Sequence, residues 1–192
     1  MSNIDKASFG DTVDATVTRS AGQEDTVVAC GVYTAECYDA SGVLKWSDTF
    51  QNLTTNVGRA SLLDSYLGNS AAGAVVMGLK GTGTAAYADT QASHPSWSEV
   101  GGANAPTYSG TRKTPVFSAT TVALPAVKAT STATVFTMTG AGTVAGAFIN
   151  VGGSSAIDNT TGILFSAGDF TAGSKSVTSG DTINVSYTLS AS

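Results

Sequence analysis

Charge is scarce in this sequence. Only 12% of its 192 residues are Asp, Glu, Lys or Arg, against roughly 25% in an average soluble domain. Long helical bundles and coiled coils are built from Leu, Glu, Lys and Arg, and a chain this poor in them excludes both. Low charge with 42% hydrophobic residues also excludes the composition of a disordered chain. The charge that remains sums to −5, the wrong sign for a surface that tracks nucleic acid. Histidine occurs once, at position 94, and cysteine twice, at 30 and 37. One histidine and two thiols are too few for a zinc site. The cysteines are seven positions apart, an odd spacing, so on one regular strand they face opposite ways and cannot bridge. The most apolar run, 71–79, is far shorter than the roughly 20 residues of a membrane-spanning helix. The first six residues contain no apolar leader, so the reading is a protein made in the cytoplasm without a secretory signal.

What is present is small and neutral. Ala, Gly, Ser and Thr supply 101 residues, just over half the chain. They are unevenly distributed. Residues 1–26 hold seven of the 23 charged residues and only spaced apolar ones, among them Phe9, Val13 and Val17. This stretch reads as an extended arm whose apolar residues anchor it on a partner. Residues 27–192 read as one β-sandwich domain. Val27–Tyr38 and Leu44–Phe50 flank a turn at Asp39–Gly42 and predict a hairpin. A short helix is predicted near 56–67, capped by Thr54, Thr55 or Asn56. It would present Leu62, Leu63, Tyr66 and Leu67 on one face and stop at Gly68–Asn69.

All four prolines lie between 95 and 125. Proline removes a ladder donor, so residues 80–131 should form long loops and edge strands, with short strands near Tyr108, Val116, Phe117 and Val122. The last 61 residues carry four charges. They alternate most cleanly at the end, where Ile183, Val185, Tyr187 and Leu189 face one way and Thr182, Asn184, Ser186 and Thr188 the other. Val144–Val151 reads as a further strand with Ala145, Ala147, Ile149 and Val151 on one side. Strands spaced near ten residues, with Gly/Asp turns, predict an all-β antiparallel sandwich. One helix and a long mid-chain excursion suggest a jelly-roll arrangement.

Chemistry-bearing motifs are few. His94 precedes a proline in a Gly/Ser-rich loop, and no Gly-x-Ser-x-Gly elbow accompanies it. The string Gly78–Thr84 resembles a phosphate loop only superficially, since no helix-forming run follows. Asp158, Asn159 and Asp181 sit in turns, too dispersed for a calcium loop. The expectation is no enzyme, no metal and no cofactor. Trp46 belongs to a patterned strand. Trp97 lies in a serine-flanked loop and is the better contact candidate, joined by the basic pair Arg112 and Lys113.

Four stretches taken together resemble a family of small structural proteins of tailed bacteriophages. They are Leu53–Gly58 running into Leu62–Asp64, Gly78–Gly81 with Ala88–Thr90, Ala92–His94 and Trp97–Glu99, Thr143–Phe148, and Leu164–Phe170 followed by Ser179–Leu189. The likeness spans most of 27–192 and leaves out the first 26 residues. It implies a virion component, read first as a capsid decoration or cement protein on the capsid exterior. Its partner would be the major capsid protein, and its own state a homo-oligomer, a trimer in preference to a dimer. No nucleic acid or membrane is implied. The alternatives are a tail- or fibre-associated structural protein and, third, a carbohydrate-binding receptor module.

Overall fold

The computed structural model describes residues 29–67, 73–121, 123 and 125–191. The proposed arm with Phe9, Val13 and Val17, the helix stop at Gly68–Asn69, and Val122 lie outside the described residues.

The hairpin forms as its sequence predicts. β1 (Ala29–Tyr38) and β2 (Leu44–Gln51) are antiparallel. Their connection is pinned by Asp39, whose carboxylate accepts from the N–H groups of Ser41 and Val43 at 2.8 and 2.9 Å. Gly42 takes the positive φ of 82° that this turn demands. The chain then makes a two-residue strand β3 (Leu53–Thr54), the helix α1 (Asn56–Tyr66) and β4 (Val75–Lys80). Short strands β5 (Glu99–Val100), β6 (Ala126–Ala129), β7 (Thr134–Thr137) and β8 (Gly142–Val144) follow. The longer β9 (Gly146–Val151) and β10 (Ile163–Asp169), the short β11 (Lys175–Val177) and the ten-residue β12 (Thr182–Ala191) complete the order.

Two five-stranded antiparallel sheets carry the fold. The first runs β2-β1-β12-β6, with β7 also paired to β12; the second runs β3-β10-β9-β4-β5. A separate ribbon joins β8 to β11. β12 pairs with β1 along all ten residues, Ala29 opposite Ala191 and Tyr38 opposite Thr182. Its inward residues Ile183, Val185 and Tyr187 are buried while their neighbours are half-exposed, the period-2 pattern legible in the sequence. The all-β antiparallel sandwich is therefore as predicted, while the strand orders leave jelly-roll connectivity unestablished.

Tyr33 sits where the two sheets meet. Its ring stacks on Phe50 at 5.2 Å and tilts against Tyr187 at 4.6 Å. Its hydroxyl reaches Ser166 Oγ on the other sheet at 2.8 Å. This hydroxyl pair is a satisfied polar tie between the layers. Cys37 is buried in the same core and Cys30 faces outward, both as free thiols.

Two expectations change. The helix forms with Thr55 as its cap: Thr55 Oγ1 accepts from Gly58 N at 3.0 Å and donates to the Leu164 carbonyl. Its expected apolar face, however, is only partly used. Leu62 packs on the core, whereas Leu63 and Leu67 are 61% and 83% exposed. The cause is Gly58. A Cβ there would lie 2.2 Å from the Phe165 carbonyl oxygen, so the helix rests on β10 through its glycine. That rotates Leu63 and Leu67 towards solvent. The strand expected over 144–151 is also broken. Ala145 lies between β8 and β9, its N–H donating to the Lys80 carbonyl at 2.8 Å and its carbonyl accepting from Phe170 N at 2.8 Å. The chain thus leaves the ribbon and enters the second sheet at that residue.

Candidate functional site

The second sheet is buried on both faces, and this places the functional candidates. β9 alternates between two interiors: Ala147 and Ile149 face the main core, while Phe148 belongs to a second apolar cluster with Ala85, Trp97, Leu164 and Ala167. An apolar outer face needs a cover. The proline-containing excursion after β4 supplies it as a third layer of loops.

Trp97 is the centre of that cover. It is 5% exposed, with its ring 5.5 Å from Phe148 and stacked at 4.0 Å on His94. Its indole N–H donates to Asp89 at 2.8 Å. Lys80, fully buried at the end of β4, lies 5.6 Å from the indole centroid, donates to the carbonyls of Gly81 and Gly83, and pairs with Asp169 at 2.6 Å. Trp97 is therefore a packing residue and not a surface platform. The lysine of the phosphate-loop-like string is likewise consumed inside the protein.

Arg112 is withdrawn from the surface as well. At 2% exposure its guanidinium makes a fork with Glu99, Nε to Oε1 at 2.8 Å and Nη2 to Oε2 at 2.6 Å. It also donates to the carbonyls of Ser154 and Asn159 at 3.1 and 2.7 Å. Glu99 Oε2 accepts in addition from Asp158 N at 2.9 Å. Asp158 holds a φ of 61°, a conformation that Asp tolerates better than most residues. One buried ion pair thus ties β5 to the loop over 152–162 and the loop over 110–113. Lys113 is the more accessible of the basic pair: it is half-buried, with its ammonium donating to the Ser109 carbonyl at 2.5 Å and lying 5.6 Å from the Tyr108 ring. Its backbone joins Met77 through two hydrogen bonds of 2.7 and 2.9 Å. Of the three contact residues expected in this region, Trp97 and Arg112 are corrected to interior positions. A Ser-flanked tryptophan gives no local sign of the apolar face it covers, nor a basic pair of the acid it meets 13 residues away. The uninterrupted apolar run from Val144 to Ile149 was the available signal, because a strand buried on both faces needs something on each.

Between the loop over 91–99 and the loop over 158–160 lies a cleft of about 460 Å³. Gln91, His94, Asn104, Asp158 and Asn159 are among its polar lining residues. Most of this polarity is already engaged. Gln91 accepts from Asn150 and donates to the Asn159 carbonyl at 2.8 and 3.2 Å, and His94 Nδ1 lies 2.8 Å from the Trp97 carbonyl. Asp158 Oδ2 accepts from Ala103 N at 2.8 Å. Both Glu99 oxygens are occupied, so its carboxylate cannot serve as a base without breaking the pair. Among the described residues, no group of three or more His, Cys, Asp or Glu side chains converges as a metal site. What the cleft offers is a rigid hydrogen-bonding wall. No protein-family model, curated protein or solved structure matches the chain.

Proposed function

We propose that this chain is a structural protein of a tailed-bacteriophage virion, a decoration (cement) protein that binds the outer surface of the major capsid protein lattice and stabilises the head. The position of the exposed apolar side chains carries the reading. Val43 and Leu44, 61% and 50% exposed, project at the turn end of the first hairpin. Leu63 and Tyr87 lie beside Ala29, at the opposite end of β1. Nine strand steps separate Ala29 from Tyr38, roughly 30 Å of extended backbone. A sparsely charged body with apolar contacts at both ends suits bridging of neighbouring lattice subunits, where many weak contacts sum by avidity. Self-association into a trimer at local three-fold positions accompanies this reading.

Co-sedimentation with empty capsids and labelling of intact virions test it. The wild-type chain should decorate heads, and Val43→Asp/Leu44→Asp should lower occupancy about tenfold by removing one of two contact ends. Label on the tail alone would replace decoration with the tail-associated reading. Full occupancy by the double variant would remove the two-ended contact.

A further inference from the structure

A groove of about 490 Å³ opens on the flank of the protein where the described chain begins. Leu53, Leu62 and Leu63 form its apolar wall, and Tyr87 closes one side. Ala29 and Cys30, the first two described residues, line it themselves. Among the described residues, Arg59 is the one charged residue lining it. Its guanidinium lies 4.8 Å from the centroid of the Tyr87 ring while Nε donates to the Thr54 carbonyl at 3.2 Å. The rim is held in place, because Asn56 N donates to the Tyr87 carbonyl at 2.9 Å. This is a preformed seat, more apolar than polar, with a fixed positive edge.

We propose that the seat is filled by this chain's own segment upstream of Ala29, through the apolar residues Phe9, Val13 and Val17. Three observations favour that occupant. The segment joins the folded body inside the groove, at Ala29, so any part of it is tethered there. A tether of about 20 residues has an r.m.s. span of roughly 25 Å, and the local concentration it creates is in the millimolar range. A free partner must compete with that. The charges are also complementary. Residues 1–26 carry five acidic and two basic side chains, and Asp11 and Asp14 are interleaved with the apolar anchors, while the charge lining the groove among the described residues is Arg59. Finally, Phe9, Val13 and Val17 recur every four residues, so an extended backbone presents all three to one side. The inference concerns the chain free of any lattice and does not rest on the virion reading; docking through Leu63 and Tyr87 would first displace the segment.

Cys30 provides the readout. Its thiol is exposed and lines the groove, whereas Cys37 is buried, so a thiol reagent reports on groove occupancy. Labelling of the full chain with a chromogenic disulfide is compared with Phe9→Ser/Val13→Ser/Val17→Ser and with Leu63→Asp, circular dichroism verifying that each variant is folded. Both variants should label Cys30 at least about tenfold faster than wild type, as an opened site does. Wild-type protection should be constant from about 1 to about 100 µM protein, because the seat is filled within one chain. Equal labelling rates for wild type and the arm variant overturn the proposal. Protection that rises with concentration, together with a dimer mass by sedimentation, overturns it in favour of a second copy's segment.

Discussion

Asp181 shows how a single side chain can be both hidden and charged. It is 2% exposed, and its Oδ2 accepts from Lys45 Nζ at 2.5 Å and from Thr178 N at 2.7 Å. Burial alone would raise its pKa, but the Lys45 hydrogen bond, the Thr178 bonds and the Lys45 charge together hold it below the usual carboxylate range. Lys45 is raised in turn, chiefly by the same hydrogen bond. A carboxylate depressed by folding contributes stability that is complete above its unfolded pKa of about 3.9 and is lost as pH falls through the folded value. The lysine's share is lost only at the alkaline end, as pH rises through its folded value. Asp181→Asn should therefore lower the urea midpoint at pH 7, with the gap to wild type narrowing as pH falls below about 4. A gap that stays constant down to pH 2 would refute the assignment. Cys37, close by, is pushed up to about 11, first by burial and then by the Asp181 and Asp39 charges against an opposing Lys45. It should remain inert to thiol reagents at neutral pH.

Elements differ in how far their own residues specify them. β12 and the β1–β2 hairpin were legible because alternation and turn chemistry are local. A cap among Thr54, Thr55 and Asn56 was legible for the same reason, and the structure selects Thr55. The orientation of α1 was not, since periodicity identifies an apolar stripe but not which part of it the sheet accepts. Gly58 decides that, and its closeness to the Phe165 carbonyl is a tertiary fact. In an ordinary helix, Gly→Ala stabilises by about 0.5–1 kcal/mol. Here the new methyl would meet backbone at 2.2 Å. Gly58→Ala should instead cost about 1–3 kcal/mol, as overpacking does, measured by chemical denaturation. A stabilised variant would show that the helix can lift from β10 freely. The break at Ala145 was equally hidden, because an apolar run carries no mark of the residue where a chain changes sheets.

Across the whole molecule, the loops between β4 and β6 form a structural layer. Trp97 covers the second sheet, and the Arg112–Glu99 pair fastens the cover to it. Sequence patterning read this region as loops and edge strands with short strands near Tyr108 and Phe117. These residues make isolated bridges, and a strand lies at Ala126–Ala129. Trp97 and Arg112 were misplaced because their environments are assembled from distant segments. Removing one partner of a buried pair leaves a charge stranded in the interior. Arg112→Ala should cost about 3–5 kcal/mol in urea unfolding, and Arg112→Met combined with Glu99→Leu should recover most of that loss. If Arg112→Ala unfolds like wild type, the pair does not fasten the layer.

The register of β1 with β12 has a mechanical consequence. Ala29 and Ala191 are direct partners, so tension applied at these two points pulls across the strands, along the direction of their hydrogen bonds. Antiparallel bonds loaded in that direction yield one pair after another from the Ala29–Ala191 end, like a seam opened from its edge. Tension between Tyr38 and Ala191, at opposite ends of the same pair, would instead shear the ladder along its length and strain its bonds together. The protein is therefore weak to a pull at one corner and strong to one along its length, and a tether's attachment point would set the force it bears.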